Sequence, residues 1–454
     1  MGLFQKKKTI PQAEAVQTEE HGDQNPLYVQ LERVLSEEKQ RTGVVLKLYI
    51  ENFKMLNNVF GYEYCERLLK QIIDWLTEVT KTKVYRHIGV EFIMILENTG
   101  QGRAEEMAEE ILERFDQVWN VDNTDCLCSI QIGLCSYARR NFTVQGMMKC
   151  LDISVSAAAE RGPNQSVMFD ETLEKQFIRR QTIALQLKKA LDEKAIETRY
   201  RPTYHVESKR FTRAEYYMRI FIEGIGLVGA AEFIPIAEDS GQIRDVEYFA
   251  LDQVGACIAD LIAAGKEFDS IALPISSVLL FQNDFMEKVQ QVIDQYQIPA
   301  GKLAIEINAS ALSISYLDLG LVMQQMTSMG VEMILNDFGT SYISLTSILD
   351  LPVNTLKLER MFIWQLETNP RAAYIIQGLI QIAKQLGIHI IAEGVETEKQ
   401  LEYLQQFGCE YEQGFYYAPT VEKDLLIDIM DTSMEESGTV LTREKIKMQN
   451  LMKR

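Results

Sequence analysis

From about residue 196 onward the chain alternates between brief apolar runs and longer stretches with apolar residues three and four positions apart. That alternation is the strongest constraint in the sequence. Parallel strands cannot be joined by tight turns and need a crossover, usually helical. The pattern predicts strands near 197–203, 270–275, 302–307, 331–336, 354–358, 388–392 and 409–412. Helices are predicted over 243–264, 284–295, 317–328, 371–386 and 397–407. Seven or eight such repeats in about 245 residues predict a TIM-type barrel rather than a doubly wound sheet.

Residues 27–170 have a different texture. VVLKLYI (44–50) reads as a buried strand, and ERLLKQIIDWL (66–76) and AEEMAEEILERF (104–115) read as amphipathic helices. VYRHIGVEFIMIL (84–96) reads as a hairpin about Gly89, and CLCSIQIGLCSY (126–137) as a further strand. Together they predict an α+β domain with an antiparallel component. The expected division is therefore a polar, mobile tail over 1–26, an α+β domain over 27–170, a charged connecting helix over 171–195 and an α/β barrel over 196–430. The Met-rich, charged stretch 431–454 reads as a helix or a tail.

Charge and cysteine usage remove several classes of function. The 454 residues carry 65 acidic against 46 basic side chains, a net charge of −19, which argues against binding nucleic acid as a polymer. No apolar run reaches the roughly 18 residues of a spanning helix, so no integral membrane segment is expected. Seven Cys without regular spacing and only four His do not suggest a structural zinc site. A reducing cytoplasm is the expected compartment.

In the barrel region the polar residues fall in a pattern. Glu306 follows LAI, Asn336 and Asp337 follow MIL, Lys357 lies in TLKL, and Glu393 follows IIA. Each stands at or near the C-terminal end of a predicted strand, the face on which parallel barrels assemble their sites. A single such acid reads equally well as a helix cap. Several acids and a lysine on one rim point to divalent metal, an anionic substrate and hydrolysis by a metal-activated water.

The segments ILNDFGTSYISLTSILDLPVNTLKLER (334–360), AEGVET (392–397) and QGFYYAP (413–419) resemble the EAL domain family, and the likeness runs from about Tyr200 to Pro419. RAEYYMRI (213–220) stands in the place of the name motif, followed by AEFIPIAEDSG (231–241). The resemblance implies a barrel that hydrolyses the bacterial second messenger cyclic di-GMP with divalent metal. It implies metal ligands at Glu215, Glu306 and Asp337, a phosphate contact at Arg219, an active-site lysine at Lys357 and a base for the attacking water at Glu393. Glu396, Gln413 and Pro419 also match, and Arg201 and Pro202 belong to the same ligand-binding region, although Arg201 replaces a Gln. Other departures bear on chemistry: Tyr216 and Tyr217 follow Glu215, an expected metal-ligand Asn is Pro274, and an expected metal-ligand Asp is Asn336. The acid implied to hold the next loop is Ala309, and Ser341 and Ile343 alter that loop. Each lost charge-assisted contact is worth roughly 1.5–3 kcal/mol, so metal binding is expected to be weak and hydrolysis inefficient.

Residues 27–170 resemble a GGDEF domain, through LKLYIENFKMLNNVFGYEY (46–64), RHIGVEF (86–92) and AERGPN (159–164). The resemblance implies a GTP site built from a Gly-rich turn and acids. Here the first acid is Tyr49, and the signature reads Ile88, Gly89, Val90, Glu91, leaving Glu91 alone of its acids. Ile88 puts a branched side chain where backbone would approach phosphate. The late Lys is Ala159, and Val79 and Thr82 occupy the implied inhibitory-site positions. Cyclase activity is not expected.

Three readings follow. The chain is a degenerate two-domain receptor for cyclic di-GMP that signals through an unidentified protein partner, or a weak metal-dependent phosphodiesterase, or a nucleotide-independent interaction module. The expected cofactor is Mg²⁺, Mn²⁺ or Ca²⁺, weakly bound, or none. The resemblance also implies a homodimer through the barrel.

Overall fold

The structure is a computed structural model that describes residues 25–36, 42–138, 142–193, 195–313, 316–338 and 347–452. Positions 1–24 of the expected tail, Ser341 and Ile343 lie outside the described residues. The chain divides into two compact units, residues 1–179 and 180–454.

In the N-terminal unit β1 (Gly43–Ile50), β2 (Val84–Arg86), β3 (Glu91–Glu97), β6 (Ile130–Ser136) and β7 (Gln165–Met168) form one sheet in the order β2-β3-β1-β6-β7. A separate hairpin pairs β4 (Trp119–Val121) with β5 (Thr124–Cys126). β1 is antiparallel to both β3 and β6, and β6 is parallel to β7. Helices Tyr62–Thr80 and Gln101–Phe115 supply one apolar layer, with Leu68, Leu69, Ile72 and Ile111 against Leu46, Leu48 and Ile132. Pro26–Ser36 and Val144–Ala159 supply the other, with Leu31 and Leu151 against Val45 and Ile93. The strand expected over 126–137 is split: Cys126 ends β5 and the sheet strand starts at Ile130. All seven cysteines are buried and free, as apolar packing requires.

The C-terminal unit is a closed barrel. Its sheet runs β10 (Gly226–Gly229), β9 (Arg210–Ile222), β11 (Ser270–Ile275), β12 (Leu303–Asn308), β13 (Glu332–Phe338), β14 (Thr355–Leu358), β15 (His389–Glu393), β16 (Tyr411–Gln413) and β8 (Ile196–His205). Pairing of β8 with β9 closes the ring. From β9 through β11 to β16 the barrel pairs are parallel, whereas β8 is antiparallel to both of its neighbours. The barrel thus starts with a hairpin, which the sequence pattern read as a single strand. The predicted helices recur as Ile243–Ala263, Phe285–Tyr296, Tyr316–Ser328, Pro370–Leu386 and Glu398–Phe407, and Met434–Met452 is helical. No helix among the described residues is long and apolar enough to cross a membrane.

Candidate functional site at the barrel rim

The C-terminal strand ends bring most of the expected residues together. Register places Glu215 of β9 beside Ala272, Pro274 of β11 beside Glu306 of β12, and Asn308 beside Asn336 of β13. At the centre is Lys357 of β14, 1% exposed. Its Nζ lies 2.7 Å from Glu215 Oε2, 3.1 and 3.3 Å from the two oxygens of Glu306, and 3.7 Å from Glu393 Oε2. Glu393 is also held by Arg201, whose Nη1 donates to Oε1 at 2.7 Å. The Arg201 guanidinium lies over the Tyr217 ring at 4.3 Å from its centroid, so a residue foreign to the name motif supports one of the rim cations.

Two glycines hold the last strands in place. Gly414 has no room for a Cβ, which would meet the Val395 carbonyl at 2.2 Å. Gly394 takes φ 82° and donates its N–H to Gln413 O at 2.8 Å. These contacts fix Glu393 and Gln413 side by side. Gln413 Nε2 in turn donates to Thr203 Oγ1 at 2.9 Å.

A break in register lies between Leu335 and Phe338 of β13, and Asp337 stands at φ 55°. Such irregularities re-aim side chains at the rims of barrels. Here Asp337 accepts from Asn308 Nδ2, and the Asn336 side-chain oxygen accepts from the Asp337 N–H at 2.7 Å.

Burial decides the protonation of this cluster. Glu306 is pushed up to about 8, mainly by burial and then by the neighbouring Glu215 charge, against the opposing effect of Lys357. Burial works to deprotonate Lys357, but Glu215, Glu306 and Glu393 together hold its proton more firmly than usual. For Glu393 burial is again the largest single influence, and the Lys357 and Arg201 charges overcome it, leaving the carboxyl below its ordinary range.

Other expected residues stand apart from this cluster. Arg219 is half-buried and makes no ion pair or side-chain hydrogen bond among the described residues. Glu396 is exposed, its N–H donating to Gln400 Oε1 at 2.8 Å, and Pro202 and Pro419 are buried. A pocket of about 540 Å³ opens beside the cluster, lined by Glu215, Tyr217, Pro274, Glu306, Asn308 and Asn336 among others. Glu247, absent from the sequence reading, also lines it and braces its wall, accepting from Ser276 N at 2.8 Å and Ser276 Oγ at 3.0 Å. An acid on the apolar face of a predicted helix was the signal for it.

A divalent metal is the cofactor the resemblance implies, and the donor set as arranged does not fit one. Hard cations take six or more oxygen ligands, several of which water can supply, but the protein must offer carboxylates free to coordinate. Glu215 and Glu306 both accept from the Lys357 ammonium, Pro274 contributes no side-chain donor, and the Asn336 oxygen is engaged by its own backbone neighbour. Among the described residues no group of three or more His, Cys, Asp or Glu side chains is placed to hold a metal.

In the N-terminal unit the equivalent feature is Lys47. It is 5% exposed on β1, with Nζ 2.8 Å from Glu91 Oε2 and 2.6 Å from Asp152 Oδ1. Tyr49 and Ile88 are exposed, Val90 is not, and Gly89 takes φ 57° in the hairpin turn. Sequence reasoning missed Lys47; the signal was a lysine within a run otherwise read as buried.

The geometry defines a two-domain class: an α+β domain with a central hairpin, followed by a parallel-type barrel with a carboxylate–lysine rim. The EAL domain model matches residues 184–420, and the model for diguanylate cyclase, GGDEF domain, matches residues 24–165. The chain belongs to the EAL-domain family and carries GGDEF and EAL domains in tandem. It is 28% identical to the signaling protein YkoW of Bacillus subtilis over 380 residues, 83% of this chain and 47% of that protein. It is 25% identical over 378 residues to the bifunctional diguanylate cyclase/cyclic di-GMP phosphodiesterase MucR of Pseudomonas aeruginosa, 83% of this chain and 55% of that one. The chain spans about half the length of these curated relatives. Among solved structures, the MucR phosphodiesterase in complex with c-di-GMP is 26% identical with a TM-score of 0.52, covering 54% of this chain and 99% of its own. The EAL enzyme Bd1971 has a TM-score of 0.54 at 18% identity, covering 76% and 82%, a likeness of fold alone.

Proposed function

We propose that the barrel is a receptor for cyclic di-GMP that regulates a protein partner without hydrolysing the nucleotide, and that the N-terminal domain makes none. The observation that carries this reading is the Lys357 ammonium between Glu215 and Glu306, where activation of water calls for a cation. The altered base supports it further. A general base works best with a pKa near the working pH, and Glu393 is held below its ordinary value by Lys357 and Arg201.

Recognition has better support than chemistry. A ligand with two phosphate charges needs cations to meet it; Arg219 makes no ion pair among the described residues, Arg201 is paired with Glu393, and a pocket of about 540 Å³ lined by Glu215, Tyr217 and Glu306 opens at the same rim. The 26% identical MucR phosphodiesterase structure is a c-di-GMP complex. In the N-terminal unit Tyr49 and Ile88 replace the acid and glycine that a GTP site would use, and Glu91 is engaged by Lys47.

The test is a calorimetric titration of the full chain with cyclic di-GMP plus Mg²⁺ or Mn²⁺, followed by chromatography for linear dinucleotide. Saturable binding without product is expected. Product formation that disappears in Glu215→Ala would make the barrel a phosphodiesterase. Absence of binding would leave the interaction-module reading.

A further inference from the structure

We propose that His205, Glu410 and His389 form a proton-dependent clasp on the seam that closes the barrel, and that losing the proton of His389 loosens the pairing of β8 with β16. The clasp lies at the opposite end of the strands from the rim and acts whether or not nucleotide binds.

The seam is the narrowest join in the ring. β16 is three residues long and meets β8 at two register positions, Tyr411 with His205 and Glu412 with Tyr204. Every other pair of neighbouring strands in the ring has three or more among the described residues. One further backbone bond, from Val206 N to Glu410 O at 3.0 Å, extends the seam. Where ladder bonds are so few, local opening is governed by the side chains that span the join.

Two of the four histidines in the chain meet at this point. His389 begins β15, and its Nδ1 lies 2.7 Å from Glu410 Oε2. His205 ends β8, and its Nε2 lies 3.9 Å from Glu410 Oε1. Both rings pack on Tyr411, with centroids 4.9 Å away for His205 and 5.8 Å for His389. His205 Nδ1 is in turn 2.9 Å from Ser208 Oγ. A carboxylate at the start of β16 thus stands between imidazoles from the two strands that flank it. The same short strand ends at Gln413, which bonds Thr203 of β8, so one element joins the clasp to the rim.

The charges around the clasp set the sign of its pH dependence. The hydrogen bond to Glu410 holds the His389 proton above the ordinary 6.5 against burial, with Arg213 of β9 opposing and Glu332 of β13 assisting. Burial works to raise the Glu410 carboxyl, but His389, His205 and Arg213 overcome it and leave it below 4.5. Asp269 tempers Arg213, 3.8 Å from its Nε, and accepts from the Tyr411 hydroxyl. Glu207, Lys209 and Lys384 share a pocket of about 710 Å³ with Glu410. The clasp is therefore at full strength between 4.5 and 6.5, and it weakens as pH rises through the folded value of His389.

The experiment is hydrogen exchange of the full chain, read by mass spectrometry in peptides covering 199–206 and 409–414, for the wild type and His389→Gln. Glutamine keeps a donor toward Glu410 but takes up no proton. Glu412, pushed up to about 7 by burial, titrates in the same range on the same strand. The quantity read is therefore the ratio of the two chains at one pH, in which the Glu412 effect cancels. At about pH 5.5 the wild-type seam is expected to exchange at least about threefold more slowly than that of His389→Gln, and at about pH 8.5 at the same rate. A ratio that does not change with pH overturns the proposal, as does an equal ratio in peptides of β11 and β12, which would make the effect global. A measurement on the wild type stands beside it and needs no variant that folds poorly: proton NMR titration of the imidazoles. The Cε1 proton of His389 is expected to report a value above 6.5, and a value at or below 6.5 overturns the proposal.

Discussion

On the reading proposed above, the two units would lose their chemistry by different physical routes. In the barrel a pocket lined by Glu215, Pro274, Glu306 and Asn336 remains open, and the Lys357 ammonium pairs with Glu215 and Glu306. In the N-terminal domain the proposed route is one of shape, with the exposed side chains of Ile88 and Tyr49 standing where the resemblance implies a glycine and an acid. Both nevertheless converge on a strand lysine against carboxylates, and they differ in how dry that contact is. Glu215 and Glu306 are buried around Lys357, whereas the Asp152 side chain beside Lys47 is 57% exposed. A salt bridge matters in proportion to its isolation from water, so the two lysines should not be equivalent.

The largest effect tests that difference directly. Lys357→Met strands buried carboxylates and should destabilise the barrel by about 3–5 kcal/mol. Lys47→Met should cost about 1.5–3 kcal/mol at most, because water reaches Asp152. Urea denaturation of the full chain, followed by probes in each unit, measures both. Equal losses would show that the two contacts are equally desolvated and would break the comparison.

The next effect is a pH dependence confined to the barrel. Glu306 and Glu247 are pushed up to about 8 and Glu412 to about 7, in each case chiefly by burial. Each binds its proton more tightly folded than unfolded, where the ordinary value is 4.5. The corresponding stability is therefore fully present below about 4.5 and is lost as pH rises through 7 and 8. The barrel transition in thermal melts should fall steadily between about pH 5 and 8.5. The described carboxylates of the N-terminal unit are all at least partly exposed, and its transition should move much less. A barrel transition that is flat across that range would mean that these acids are hydrated.

A smaller effect separates recognition from stability. Arg219 makes no ion pair among the described residues, so Arg219→Ala should leave Tm unchanged. It should weaken cyclic di-GMP binding about tenfold in calorimetry, the worth of one charge-assisted contact. Unchanged affinity would remove Arg219 from the phosphate contacts and leave Arg201 to carry them.

How much of this was legible before the fold? The strand–helix alternation specified the barrel, and the acids after LAI and IIA and the lysine in TLKL were correctly placed on one rim. What the one-dimensional pattern could not supply was direction across the ring. Lys357 lies 142 residues from Glu215 in sequence, and only closure of the barrel brings its Nζ to 2.7 Å. The antiparallel entry was hidden for a related reason, since an apolar run carries no sign of strand direction and only pairing in the ring sets β8 against β9 and β16. Lys47 was missed although its sequence signal existed. A lysine inside VVLKLYI cannot stay charged in a core without a partner, so that position demanded an acid from elsewhere. Asp152, 105 residues away, supplies one.

The smallest predicted effect asks whether shape or charge closed the N-terminal site. Ile88 is 52% exposed at the hairpin, and Gly89, in the left-handed region, already makes the turn. The hairpin is held by its backbone, with His87 N donating to Glu91 O at 2.8 Å and Glu91 N to Ile88 O at 3.0 Å. Ile88→Gly therefore removes a branched side chain from the phosphate approach and costs only about 0.5–1 kcal/mol of backbone entropy. If Ile88 alone closed the site, the variant should acquire saturable GTP binding in the presence of Mg²⁺. It is expected not to, because Tyr49 still replaces the first acid and Lys47 still holds Glu91. The informative outcome is then the pair: Ile88→Gly alone binds no GTP, and Ile88→Gly with Tyr49→Asp and Lys47→Met binds weakly. GTP binding by the single variant would show that the Ile88 side chain alone keeps GTP from the N-terminal domain, and that Tyr49 and the Lys47–Glu91 contact do not.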